Sequence, residues 1–223
     1  MAESSVFDLL GPVMVGPSSS HTAGAVRLGL MARKILGEQV QKAGIVLHGS
    51  FAETGKGHGT HLALTAGILG MQPDDEGIRR ALQIAREKQL EVKFEKGDLG
   101  ETHPNTAKIC LTGLNGKRIE MTGSSIGGGM IVIREINQFP VEFNGEYPAI
   151  VSVYADYPGM IAEITAVLAK ASINIAKMKV SREGRGKRAL TVIETDDIVP
   201  IEVLGKIRKL AKVEEVIFIE PMN

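Results

Sequence analysis

The sequence predicts an α/β (α+β) chain of two domains: a mixed-sheet domain over residues 1–140 and a smaller βαββαβ domain over residues 148–223. Three observations predict it. With 223 residues, 43% of them hydrophobic, the chain is long and apolar enough for two modest cores. Two prolines and an Asn-Gly pair punctuate the stretch "NQFPVEFNGEYPAI", which reads as the boundary. On either side of it, strand-length apolar runs alternate with longer amphipathic ones.

The second domain is the easier to justify. "AIVSVYA" reads as a strand, and the turn at Pro158 and Gly159 opens the next element. In "MIAEITAVLAKA" the residues Ile161, Ile164, Val167 and Leu168 share one helical face. "INIAKMKVSR" and "RALTVIET" are strands joined by the polar turn "EGRGK". "IEVLGKIRKLA" is a second amphipathic helix and "VEEVIFIE" a last strand. This order is the split βαβ, ferredoxin-like plan. Two helices cover one sheet face, so the other face or an edge needs a cover, often a second copy.

In the first domain "AGAVRLGLMARKILG" is a helix that Gly37 ends. "AGIVLHGSFA" reads as a buried strand, "ETGKGHGT" as a loop and "HLALTAGILG" as a helix. "GIRRALQIAREKQL" is a third helix with a charged outer face. "EVKFEKG", "TAKICLTGL", the "NGKRIEMTGSSI" hairpin and "MIVIREI" supply strands. The pattern is that of a mixed sheet, not a doubly wound parallel one.

Composition narrows the function. Lys plus Arg and Asp plus Glu are both 26, so no global field favours nucleic acid or a membrane surface. Tryptophan is absent and aromatics make up 4%, against base-stacking surfaces. No run approaches the roughly 20 apolar residues of a membrane helix, and "MAESSVFDLLGPV" does not read as a secretory signal. The single cysteine, Cys110, cannot build a disulfide framework, so a cytoplasmic protein is expected. Nor can one thiol ligate an iron–sulfur cluster, which takes three or four.

Four glycine- and hydroxyl-rich segments stand out: "GPSSSHTAG", "TGKGHGTH", "THPNTAK" and "TGSSIGGGM". Together they hold four of the five histidines, all but His48. "TGKGHGTH" lacks the spacing of a nucleotide P-loop. His58 and His61 are three apart, but no third ligand shares their helix, so no metal is expected on this chain. Any one segment could be purely structural; four in one domain point to a polar site.

In that order, "SVFDLLGPVMVGPSSSHTAGAVRLG", "GSFAETGKGHGT", "HPNTAKI" and "SIGGGMI" resemble the β chain of the bacterial iron–sulfur L-serine dehydratases. In the second domain "DYPGMIAEIT" and "SINIAKM" resemble the ACT domain, a regulatory module that binds amino acids between two copies. The resemblance implies conversion of L-serine to pyruvate and ammonia. It further implies a [4Fe–4S] cluster carried by a separate α chain and not ligated here, and a first domain similar to the allosteric substrate-binding domain of some phosphoglycerate dehydrogenases.

It also implies roles. His21 and His58 are the acid–base candidates, because a base that titrates near neutrality must face the α-carbon. Ser18, Ser19, Ser20 and Thr22 position the substrate carboxylate or a facing α-chain loop, at what reads as a helix start. His103 and Asn105 complete a polar wall, and Ser124, Ser125, Gly127, Gly128 and Gly129 shape the floor. In the ACT domain Asp156, Pro158, Gly159 and Asn174 line the ligand crevice; serine, another amino acid and a monovalent cation are all open as its occupant. A homodimer through the ACT domain is expected, with neither nucleic acid nor membrane as partner. The sequence departs from the family's pattern at His61, where an aspartate is usual, so no His–Asp relay is expected there. The alternative reading is a stand-alone amino-acid sensor.

Overall fold

The computed structural model describes residues 14–222, so the leading part of the first motif, "SVFDLLGPV", lies outside the described residues. The chain divides into two compact units, Met1–Asn137 and Gln138–Asn223.

In the first unit a wide π-type turn, Ser19–Gly24, runs directly into helix α1, Ala25–Leu36. Gly37 caps α1 in the left-handed conformation, as expected of a C-terminal glycine. Strand β1, Val40–Leu47, leads into helix α2, Gly49–His58, and Gly59 turns the chain into helix α3, Thr60–Leu69. A short 3-10 turn, Glu76–Arg80, precedes helix α4, Ala81–Glu87. Strands β2 (Glu91–Lys96), β3 (Thr106–Gly113), β4 (Arg118–Gly127) and β5 (Met130–Ile136) follow.

These strands lie in the order β2-β1-β3-β4-β5. The pair β1/β2 is parallel, with α2, α3 and α4 in its crossover, and the others are antiparallel. The sheet is mixed, as the sequence predicts. Its register sets Ile45 beside Ile109 and Ile109 beside Met121, a row of buried side chains on one face. Lys108 bridges Glu120 at 2.8 Å, close to Cys110 on the same strand pair. This alternation is what a sheet covered on one face requires. Nine of the twelve residues of α1 are buried, which makes it the innermost helix, packed on both α3 and β4.

Two readings of the sequence need correction here. The strand expected over "AGIVLHGSFA" ends at Leu47, and "GSFAETGKGH" is a helix rather than strand end plus loop. The boundary segment "NQFPVEFNGEYPAI" contains a strand, β6, Phe139–Phe143, whose Phe139, Val141 and Phe143 are all buried.

The second unit otherwise matches its sequence reading: β7 (Ala149–Ala155), α5 (Met160–Lys170), β8 (Ile175–Arg182), β9 (Arg188–Thr195), α6 (Ile201–Arg208) and β10 (Val213–Ile219). The sheet order β10-β7-β9-β8 is the ferredoxin-like arrangement. Ile150, Tyr154 and Ile193 pack with Ile164 and Leu168 of α5 and with Val203, Leu204 and Ile207 of α6. At the β8 edge the Ser181 hydroxyl donates to the Pro140 carbonyl of β6.

Candidate active site

Helix α2 organises the site. Ser50, Thr54 and His58 are spaced four apart, so they line one helical face. His21, only 8% exposed, is set against that face by the π-type turn. Its Nε2 lies 3.1 Å from Thr54 Oγ1 and 3.3 Å from Ser50 Oγ, and Phe51 meets its ring edge-on at 5.2 Å.

Donor arithmetic fixes the His21 tautomer. The Thr54 hydroxyl donates to the Ser50 carbonyl at 2.9 Å, so its oxygen accepts from His21 Nε2–H. Ser18 Oγ accepts the His21 backbone N–H at 3.3 Å and turns its own proton to Nδ1, 3.4 Å away. Both ring nitrogens are therefore occupied. Burial, then the neighbouring His58, hold the His21 pKa below the ordinary histidine value. His21 is a neutral, fixed ring.

His58 differs. Its Nδ1–H donates to the Thr54 carbonyl at 3.2 Å, and among the described residues nothing engages the Nε2 lone pair of this exposed ring. Gly59, at φ 75°, ends α2 immediately after it, a conformation that favours glycine. The ring fronts a cleft of about 510 Å³ that Val15, Gly16, Pro17 and Thr22 bound on one side and Leu62, Ile78 and Arg79 on another.

The remaining predicted residues gather beneath this pair. The Pro104 carbonyl accepts from Phe51 N–H, joining the His103–Asn105 loop to the first turn of α2. His103 spends its Nδ1 on the Asn105 N–H at 3.1 Å and does not line the cleft. Ser125 N–H donates to the Asn105 carbonyl, and Ser124 Oγ sits 2.7 Å from Thr106 Oγ1. Ser125 packs directly under Gly24, where a Cβ would lie 2.0 Å from its Oγ. Among the described residues Ser125 Oγ and Asn105 Oδ1 are buried with no hydrogen-bond partner. The Gly127–Gly129 turn is tied to α1 by Arg27, whose guanidinium donates to the Gly129 carbonyl at 3.1 Å. Ser19 and Ser20 are half-buried in the π-type turn, away from the cleft lining. All four motifs thus meet at the start of α1.

His61 stands apart from the pair: its ring meets Phe94 edge-on at 6.2 Å, as packing at a helix start predicts. Sequence reasoning missed Ser50, Thr54 and Arg79. The spacing of Ser50, Thr54 and His58 was a usable signal for the first two.

In the second unit Asp156 Oδ2 accepts from Arg182 at 3.3 Å and from Gly186 N–H at 3.2 Å. Asn174 donates to Asp196 at 2.7 Å. Asp156 follows β7 and Asn174 precedes β8; both strands run antiparallel to β9, so the two residues lie at opposite ends of the sheet. A crevice lined by both needs a second copy.

Comparison with known proteins first defines a class: a serine dehydratase beta-chain domain joined to an ACT domain. The serine dehydratase beta chain family model matches residues 5–90, and the ACT domain model matches residues 149–212. A probable L-serine dehydratase beta chain of Bacillus subtilis is 46% identical over 95% of this chain and 96% of its own length. The L-serine dehydratase beta chain of Peptoniphilus asaccharolyticus is 39% identical over 88% of this chain and 89% of its own. L-serine dehydratase 2 of Escherichia coli is 33% identical over 59% of this chain and 34% of its own length. The chain belongs to the L-serine dehydratase beta-chain family.

Proposed function

We propose that the chain is the β subunit of an L-serine dehydratase that converts L-serine to pyruvate and ammonia only when joined to an α chain carrying a [4Fe–4S] cluster. One observation carries the site assignment: His58 fronts a cleft with an Nε2 that no described residue engages, while its Nδ1–H is anchored on a backbone carbonyl. Such a nitrogen can take the α-proton of a bound amino acid. His21 stands behind it as a neutral ring that cannot add a second charge cheaply. Thr22 shapes the near wall, Ser18 holds the His21 ring behind it, and Asn105, Ser124, Ser125 and the glycines Gly127 and Gly128 support it from below. Ser19, Ser20 and His103 serve this site by facing the α chain.

The residues of this chain do not fit an iron–sulfur cluster. Cys110 is its one thiol, and among the described residues no three His, Cys, Asp or Glu side chains converge. That misfit supports a cluster carried by the α chain. In the E. coli relative the match to this chain takes up 34% of its length, which supports a further part of the enzyme outside this chain.

The ACT domain dimerises and takes an amino acid or monovalent cation between two copies, with Asp156, Pro158 and Gly159 from one and Asn174 from the other. The placement of Asp156 and Asn174 at opposite sheet ends supports that division. Among the described residues no helix is long and apolar enough to cross a membrane. We assign the assembly to the cytoplasm on its cysteine usage.

The test is co-purification with a candidate α chain, anaerobic reconstitution and a pyruvate assay. Wild-type pairs should turn over, and His58→Asn pairs should not. Unchanged turnover in His58→Asn would sink the site assignment. Serine binding without turnover in any pairing would instead identify a sensor.

A further inference from the structure

Among the described residues, the cleft that His58 fronts has a single permanent cation on its wall. Arg79, in the 3-10 turn before α4, lines it beside Ile78. Arg79 is exposed, and among the described residues no hydrogen bond or ion pair engages it. Its near neighbour Asp75 is committed to the Gly77 N–H at 2.7 Å. Among the described residues no Asp or Glu lines the cleft to neutralise the guanidinium or receive an ammonium group. The rest of the lining is small or apolar, with the Thr22 side chain as the other polar group besides His58.

We propose that Arg79 anchors the carboxylate of the amino acid that binds in this cleft, and so selects carboxylate-bearing substrates over amines and amino alcohols. The inference rests on the reading of His58 as the group that faces the substrate. A guanidinium grips a carboxylate through two parallel N–H donors, and thereby fixes orientation as well as position. With the carboxylate on Arg79 and the α-carbon toward His58, the substrate amino group is left to solvent or to the partner chain. The hydroxyl of Thr22 then orients a ligand whose charge Arg79 already holds.

The experiment follows the His58 ring resonances of the full chain by NMR during titration with L-serine and with 2-amino-1,3-propanediol, the same skeleton without a carboxylate. L-serine should shift them saturably and the diol should not. Arg79→Gln should weaken serine binding at least tenfold with an unchanged melting midpoint, and Arg79→Lys should recover part of it. In the reconstituted enzyme Arg79→Gln should raise KM at least tenfold while kcat changes less than threefold. Absence of a serine-dependent shift in the wild-type chain, equal affinity of Arg79→Gln, or equal binding of the diol each overturns the proposal. Should the pair make no pyruvate while serine still binds in an Arg79-dependent way, the dehydratase reading falls and the anchor stands.

Discussion

The rings of His21 and His58 stand 4.8 Å apart, centroid to centroid, tilted by 40°, yet they are in opposite hydrogen-bonding states. His21 has both nitrogens occupied, by Ser18 on one side and by Thr54 and Ser50 on the other. His58 has one nitrogen anchored and the other open to the cleft. Two like groups placed in different environments can divide the labour of a site, one setting geometry and the other exchanging a proton.

This division predicts unequal losses. In the reconstituted enzyme His58→Asn should lower kcat by about 10²- to 10⁴-fold, the usual contribution of a positioned acid–base group. His21→Asn should cost less in rate and more in stability, because it removes a buried ring that α2 packs against. Pyruvate formation and the urea midpoint of each variant check the pair. Equal rate losses with equal midpoints would contradict the assignment.

Acid stability should depend on His21. Its pKa in the folded chain lies below its unfolded value near 6.5, through burial and then through His58; the other groups on it, Ser18, Ser50 and Thr54, are uncharged. Below the unfolded pKa the unfolded chain binds a proton that the folded chain refuses. Stability is therefore full above that value and falls as pH drops toward the folded pKa, with a slope of at most about 1.4 kcal/mol per pH unit from this group. Urea midpoints from pH 7.5 to pH 5 should decline in wild type, and His21→Asn should flatten that part of the decline.

Thr54 should matter through its side chain to His21 and through its backbone to His58. Thr54→Val removes the acceptor of His21 Nε2–H and should cost about 1–2 kcal/mol, with the buried ring left to Ser50 alone. At this chain length that is a fall in melting midpoint of several degrees. Thr54→Ser keeps the hydroxyl and should recover most of it. The carbonyl that anchors His58 is untouched in both, so kcat should fall far less than in His58→Asn. A Thr54→Val chain as stable as wild type would remove Thr54 from the network.

How much of this was legible in the sequence differs between the two units. In the second, each strand and helix carries its own period, and β7 to β10 and both helices fall where the apolar spacing places them. In the first, α2 was hidden because "GSFAETGKGH" contains three glycines, which disfavour an isolated helix. Tertiary contacts override that: Phe51 is fully buried, and Ser50 and Thr54 hold His21. Strand β6 was lost behind the prolines that mark the boundary, although Phe139, Val141 and Phe143 alternate. Arg79 gave no signal at all. In "GIRRALQIAREKQL" it is one more charge on an outer face, and only the packing of the 3-10 turn against the cleft distinguishes it.

The contact between Gly24 and Ser125 gives the sharpest test of the packing beneath the site. A Cβ on Gly24 would lie 2.0 Å from Ser125 Oγ and 2.7 Å from Ser125 Cβ, so rotation of the serine cannot relieve the clash. Ser125 is fully buried between Gly24 and the Asn105 loop, which leaves it little room to move. Gly24→Ala should therefore destabilise the chain by about 1–3 kcal/mol, as overpacking does. Ser125→Gly in the same chain removes the obstructing atoms and should restore most of that loss. Ser125→Ala alone, which deletes an unpartnered buried oxygen, should be neutral or slightly stabilising. Urea unfolding of wild type, Gly24→Ala, Ser125→Gly and the double variant closes a double-mutant cycle. A coupling energy near zero would mean that Gly24 and Ser125 do not touch, and that the floor motif does not support the π-type turn that carries His21.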